Sequence, residues 1–353
     1  MRLRSAVSPY LIEGSVARSL TPLPLLLGLL AITACGGSPT APTGSAAGGL
    51  PPPARGPALK ATALDRTSAS APWVNFAERP ITFSWDRFPG AGWYAVEVGT
   101  SPGAADVLSA TTRDLSLTTT FASPGQYYPR VIAYTRSGSQ ASAERVPLIV
   151  LSFQDYVEAL LLGTGPLAQV PQQGCPAGAG TMAGWQATSP VTVTLGASLD
   201  DEQVQRATST VGQADLATAG VIRTMVSRST VLHPLPGSLE IVVHQTGPAL
   251  AFPCSATALG CTVPEFLGPG VFSRATVVMR RGSALVAHEM AHALFGLCHV
   301  SAVAGYVSVM GGFEDFGTGL READLVALRA VYAAGLRGGA TRGAFVAAGL
   351  VAP

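Results

Sequence analysis

Three of the chain's five histidines, His288, His292 and His299, fall within twelve residues, and their spacing constrains the fold more than any other feature. Residues four apart lie on one face of a helix. His288 and His292 therefore predict a helix that aims two imidazoles at one ion. Glu289 sits beside the first of them, close enough to take a proton from water held at that ion, and this is the chemistry of a zinc hydrolase. Val286, Ala287, Met290, Ala291, Leu294 and Phe295 make the helix apolar, so a buried helix is expected from Ser283 to about Phe295. Gly296 is placed to end it in a left-handed conformation. The chain can then turn and bring His299 back to the same ion. The plainer alternative is a helix with two hydrogen-bonded core histidines and a solvated Glu289.

Two stretches beyond the histidines narrow the reading. Ser308-Val309-Met310-Gly311 looks like a tight turn carrying a buried methionine. Leu320 to Tyr332 is a helical stretch that resembles the closing helix of matrixin-type proteases. In order, these features resemble the metzincin metalloproteases. The resemblance covers roughly Val191 to Tyr332, with its specific motifs confined to residues 288–332. It implies a zinc-dependent endopeptidase acting on peptide or protein substrates through a mixed α/β domain at residues 189–335. It also implies Zn2+ as cofactor, His288, His292 and His299 as its ligands, Glu289 as general base and Met310 as the Met-turn residue. Three protein ligands leave the fourth position open, as a catalytic zinc requires. The family's substrate-pairing edge strand is expected at Ala275–Met279, directly before the histidine helix.

The chain departs from the family pattern at one place. Phe295 stands where the family has glycine, Gly296 comes one later, and Cys298 occupies the family's third-ligand position. One inserted residue, lengthening the helix by about 1.5 Å, keeps His299 at its usual distance from Gly296. The rivals are Cys298 as a thiolate ligand, or a downstream carboxylate such as Glu314. No tyrosine lies two residues after Met310, so a tyrosine ligand is not expected. His233 and His244 have no partners by spacing and read as structural or surface residues. Glu314-Asp315 reads as a solvated loop.

Upstream, residues 72–150 read as strand after strand. Ile81–Trp85, Tyr94–Val98, Leu115–Thr120 and Tyr127–Tyr134 are separated by turn residues such as Phe88-Pro89-Gly90 and Ser123-Pro124-Gly125. Short strands at this spacing predict a β-sandwich. An early Trp, a mid-domain Tyr and a late Tyr-x-x-x-Val-x-Ala strand resemble a fibronectin type III domain, which by itself implies no chemistry. Residues 151–188 read as a connecting helix, Phe153–Leu162, and a loop. Strands are expected at Val191–Leu195 and Ser238–His244, with helices at about Glu202–Val226 and Arg321–Ala333. Gly212 and Gly220 are possible breaks in the first of these helices, and residues 336–353 read as a tail. The fold class is thus multidomain: a β-sandwich followed by a mixed α/β domain.

The first 35 residues read as an export signal. Arg2, Arg4 and Arg18 precede an apolar run, Leu20 to Ala34, that is too short to span a bilayer comfortably. Its end, Ile32-Thr33-Ala34-Cys35-Gly36-Gly37, resembles a bacterial lipobox with Cys35 as the lipidated residue. The expected location is the bacterial cell envelope, as an outer-membrane lipoprotein facing the periplasm or the surface, and otherwise secreted. Residues 36–71, rich in Gly, Pro, Ser and Ala, read as a disordered tether. Four cysteines remain after export, and Cys254 and Cys261, flanking a short loop, are the expected disulfide. Cys175 with Cys298 follows only by elimination. With 22 basic and 21 acidic residues the chain has no basic field for nucleic acid. A second function stays open: a surface binding or adhesion lipoprotein whose zinc only stabilises its domain. Glu289 favours catalysis, because a non-catalytic site has no use for an acid there.

Overall fold

The computed structural model describes residues 56–64, 71–142, 146–169, 175–186, 190–230, 239–245, 258–311 and 319–353. Cys35, Cys254, His233, Glu314 and Asp315 lie outside the described residues. No described helix is long and apolar enough to cross a membrane.

The N-terminal part is a two-sheet β-sandwich. One sheet is ordered β1 (Leu59–Thr62), β3 (Ile81–Trp85), β6 (Ser116–Thr119). The other is ordered β2 (Trp73–Phe76), β9 (Leu148–Leu151), β7 (Gly125–Thr135), β4 (Ala91–Gly99), β5 (Leu108–Thr112), with β8 (Gly138–Ala141) paired to β7. Strand side chains alternate between faces. Ile81, Phe83 and Trp85 are accordingly buried, while Thr82 and Ser84 are half-buried. The buried set packs with Val96, Val98, Val131 and Ala133 of the facing sheet. The Tyr127 hydroxyl donates to the Ser123 carbonyl at 2.9 Å, a link that pins the turn into β7. The sandwich begins earlier than its composition suggests. The stretch read as a disordered tether, 36–71, contributes β1, which pairs antiparallel with β3, and Leu64 is buried beside Val74. Leu59 and Leu64 supply the apolar surface that the Gly/Pro/Ala background lacks.

The C-terminal part is a five-stranded sheet with helices. Its elements are α1 (Phe153–Leu162), β10 (Val191–Gly196), α2 (Asp201–Ala217), β11 (Thr224–Ser229), β12 (Glu240–Gln245), β13 (Gly260–Gly268), β14 (Val271–Met279), α3 (Val286–Phe295), α4 (Ala302–Gly305), α5 (Glu322–Ala333) and α6 (Arg342–Ala347). The strand order is β11-β10-β12-β14-β13. The first four run parallel, and β13 returns antiparallel on β14. The register aligns Val193, Ile241 and Ala275 in one row and Leu195, Val243 and Val277 in the next. These rows share one core with α2 and α3. Polar Thr194 and Glu240 point the other way and hydrogen-bond each other at 2.8 Å.

Three boundaries differ from the sequence reading. The helix expected to reach Val226 stops at Ala217, because Ala219 and Gly220 take positive φ (50° and 73°). Residues Thr224–Ser229 then join the sheet as β11. The glycine at 212 stays inside the helix, with room around it. The strand expected to be the edge, Ala275–Met279, belongs to β14, and the edge is β13. The tail at 336–353 is part of the fold: α6 buries Phe345, Val351 is buried after it, and Met182 N–H donates to the Ala340 carbonyl.

The two parts share apolar contacts. Phe76 of β2 packs against Phe153 and Tyr156 of α1, with ring centroids 5.2 and 5.3 Å apart. Arg79 pairs with Glu322 at the start of α5.

Candidate metal centre

All ten residues of α3 are buried, as befits a helix apolar on every side. Only His288, Glu289 and His292 break its apolar character, and burying them is costly unless each finds a partner. The His288 Nδ1–H donates to the Val309 carbonyl at 2.8 Å, and the His292 Nδ1–H to the Leu297 carbonyl at 2.6 Å. A backbone carbonyl can only accept, so both neutral rings carry their proton on Nδ1 and present a lone pair at Nε2. These two nitrogens converge on a third. His299 Nε2 lies 3.0 Å from His288 Nε2 and 3.2 Å from His292 Nε2. His299 has at most one proton at Nε2 and cannot satisfy both facing lone pairs. A cation between the three nitrogens satisfies all of them. Ligands at zinc–nitrogen distance on a tetrahedron stand roughly 3.3 Å apart, close to what the three rings already show. The donor set therefore fits zinc.

The electrostatics agree with that commitment. Burial holds His288 below the ordinary histidine range. Burial, followed by the neighbouring His288 and His299, holds His292 well below it. Among the described residues these three histidines are the only group of His, Cys, Asp and Glu side chains close enough to share an ion. His244 is half-buried on β12, its Nδ1 3.3 Å from the Gln245 carbonyl oxygen, and takes no part.

The loop that carries His299 is fixed from several sides. Gly296 ends α3 in the left-handed region (φ 61°), and a Cβ there would sit 2.2 Å from the Ala183 side chain. Only glycine meets both demands. Cys298 N–H donates to the Leu160 carbonyl, and Ser301 N–H to that of Leu167, each at 2.7 Å. Cys298 is disulfide-bonded to Cys175, so it offers no thiolate. Between the two rivals, His299 is the residue in the cluster. Cys261 is also disulfide-bonded.

Met310 is buried in the core that contains α3. Its turn, Ser308–Gly311, meets the histidines through the Val309 carbonyl. Gly311 is required for close approach, since a Cβ would lie 2.4 Å from Gly305 Cα. Behind the turn, the buried Asp324 of α5 accepts hydrogen bonds from Ser308 Oγ (2.7 Å), Val309 N–H (2.9 Å), Arg321 N–H (3.1 Å) and the Tyr156 hydroxyl (2.8 Å). The sequence offered no pointer to Asp324 or Tyr156 beyond their places in apolar helices.

Glu289 faces β13. Its Oε2 lies 3.0 Å, and its backbone oxygen 2.8 Å, from Thr262 Oγ1. Burial pushes the carboxyl up to about 7, against the Thr262 hydrogen bond, which lowers it. Arg280 N–H bonds the Leu259 carbonyl, so odd-numbered residues at the start of β13 pair with β14. Gly260, Thr262 and Pro264 turn their backbone to the outer side, where no described strand pairs with β13. Pro264 has no N–H to offer and is tolerated there because the strand is an edge.

No protein-family model matches the chain, and no curated protein matches it. Among solved structures it is similar to an Fn3-like protein from Clostridium thermocellum, at 24% identity and TM-score 0.19, over 28% of this chain and 91% of that one. It is also similar to fibronectin(III)-like modules of Clostridium thermocellum CbhA, at 23% identity and TM-score 0.19, over 26% of this chain and 94% of that one.

Proposed function

We propose that the chain is a zinc-dependent endopeptidase of metzincin type, attached to the bacterial cell envelope through lipid on Cys35. The observation that carries the reading is the convergence of three Nε2 lone pairs, two of them fixed by Nδ1–H bonds to backbone carbonyls, beside a buried carboxylate. His288, His292 and His299 would hold the zinc. Bound zinc supplies Lewis acidity, polarising a carbonyl and acidifying water. Glu289 then takes a proton from the attacking water and returns it to the leaving amine. Burial raises this carboxyl in the metal-free protein, the direction that helps a base return its proton. Substrate would lie along the outer side of β13 as an added strand. Gly260 and Thr262 offer N–H and C=O groups to it, and Pro264 only C=O. The burial of α3 keeps bulk water from the far side of the site.

The rival reading, a surface-binding protein with a structural zinc, leaves Glu289 unexplained. Burying a carboxylate is unfavourable, and a purely structural site gains nothing from it. The separating experiment is Glu289→Gln with metal analysis and peptide hydrolysis assayed together. The expected result is about one zinc per chain in both proteins, with hydrolysis reduced by at least about 10²-fold in the variant. Equal hydrolysis by both proteins, or no hydrolysis by zinc-loaded wild type across a broad peptide library, would reject the enzyme reading.

A further inference from the structure

We propose that Thr262 is a positioning residue that holds the Glu289 carboxylate in its working orientation. This rests on the reading of Glu289 as the base. The two residues are 27 positions apart and meet because β13 runs along α3 as the sheet's edge. Thr262 is 1% exposed, and its hydroxyl lies 3.0 Å from Glu289 Oε2 and 2.8 Å from the Glu289 backbone oxygen. Its single proton is shared between those two oxygens. No other side-chain hydrogen bond to the Glu289 carboxylate is present among the described residues, so one hydroxyl sets which oxygen faces the strand and which stays available. Gly260, two residues earlier on the same face, completes the cradle. A Cβ there would come within 3.1 Å of Glu289 Cγ and 3.0 Å of the Met279 side chain. The strand thus offers a gap for the stem of Glu289 and a donor for its head.

The physical need is specific. A glutamate has three rotatable bonds, and a base works only within hydrogen-bond reach of its proton. A helix fixes the Cα of Glu289 and leaves its carboxylate to swing. One hydrogen bond from a rigid strand, made by a short β-branched side chain with few rotamers, restricts that swing. The Thr262 hydroxyl is committed to Glu289, so the side chain acts through Glu289 while the backbone of the same residue faces the outer side of the strand.

The test compares Thr262→Val, which keeps shape and loses the hydroxyl, with Thr262→Ser, which keeps the hydroxyl. Zinc content, melting temperature, kcat, KM and crystal structures of the zinc-loaded proteins are measured. The expected result for T262V is unchanged zinc stoichiometry, kcat lowered about tenfold or more with KM little altered, and a displaced or doubled Glu289 carboxylate. A bond to a charged acceptor supports that size of effect. T262S should restore both kcat and the carboxylate position. If T262V does not fold, T262A replaces it. An undisplaced Glu289 carboxylate in the variant lacking the hydroxyl, or unchanged kcat, would overturn the proposal. Should the wild type prove inactive, the endopeptidase reading fails, and the carboxylate position in the variant structures still decides the role of Thr262.

Discussion

Replacing Asp324 measures how far the metal site depends on what lies behind it. Its carboxylate is fully buried and takes four hydrogen bonds, two on each oxygen: Tyr156 and Ser308 on Oδ1, Val309 and Arg321 on Oδ2. Burial pushes the carboxyl up, and the bonds from Ser308, Val309, Tyr156 and Arg321 pull it back. Asp324→Leu keeps roughly the volume and removes both oxygens; the Tyr156 and Ser308 hydroxyls can turn to other partners, but the Val309 and Arg321 N–H groups lose their acceptor. Each bond lost to a charged acceptor removes roughly 1.5–3 kcal/mol. Losing two should cost about 3–6 kcal/mol, a large share of a domain's stability. The same change should reach the histidines, because Val309 donates its own N–H to Asp324 and orients His288 through its carbonyl. Loss of such a supporting contact weakens metal binding about 10–100-fold.

The assay is urea unfolding of metal-free protein, together with zinc competition against a chromophoric chelator. Stability within about 1 kcal/mol of wild type would show that the four bonds contribute far less than the geometry indicates. A large stability loss with unchanged zinc affinity would refute the path through Val309 to His288.

His299→Ala should lose tight zinc binding, whereas Cys298→Ser should keep it, as metal analysis after dialysis will show; the opposite pattern would make the site a thiolate centre. Cys298→Ser should still melt earlier, because the bridge to Cys175 spans 123 residues and closing so long a loop is worth about 4–5 kcal/mol in the chain-entropy model. In metal-free protein the Glu289 carboxyl rises from 4.5 to about 7 on folding, so its contribution to stability is complete below about pH 4.5 and is lost as pH rises through 7. Glu289→Gln lacks that loss, and its advantage over wild type should grow from near zero at pH 4.5 to about 3 kcal/mol at pH 8 by urea unfolding; a difference that stays flat with pH would reject the buried-carboxyl account. Cys35→Ser should move the protein from the membrane to the soluble fraction, since lipid rather than a spanning helix is the proposed anchor; a variant that stays with the membrane would count against it.

What the sequence disclosed and what it hid separate by the range of the interaction. The ten residues of α3 repeat their apolar positions locally, and Gly296 marks the end of the helix with a backbone demand that only glycine meets, so the helix and its stop were both legible. His299 could be placed because its distance from Gly296 is also local. Strand β13 was not legible: Gly260, Pro264 and Gly268 interrupt any alternation, and its place at the edge depends on pairing with β14. Only the start of β11, residues 224–226, falls in the stretch expected as helix, and the break offered at Gly220 is where the chain turns, with positive φ at Ala219 and Gly220. Thr262, Asp324 and Tyr156 matter through contacts across 27, 15 or 16, and 168 positions. The Cys175–Cys298 bridge is equally remote, and its own spacing gives no sign of it: it follows only by elimination once Cys254 and Cys261 are paired across their short loop.

The segment between sandwich and sheet, read from sequence as a connector, holds the site together. Tyr156 of α1 reaches the carboxylate behind the methionine turn. Cys175 is bonded to the residue before His299. The chain at Ala183 packs so closely on Gly296 that no side chain fits there, and the Trp185 indole N–H donates to the Ala293 carbonyl inside α3 at 3.0 Å. Each contact falls on the helix end, the loop or the turn that sets one of the three imidazoles. The described residues of this segment, 153–169 and 175–186, therefore pack with the body that carries the three histidines. Removing them would strip support from His288 through Asp324, from the C-terminal end of α3 through Trp185 and Ala183, and from His299 through Cys298. Phe76 extends that dependence to the sandwich, because its ring packs on Tyr156. The sandwich thereby touches, through two side chains, the carboxylate that steadies the turn beside His288.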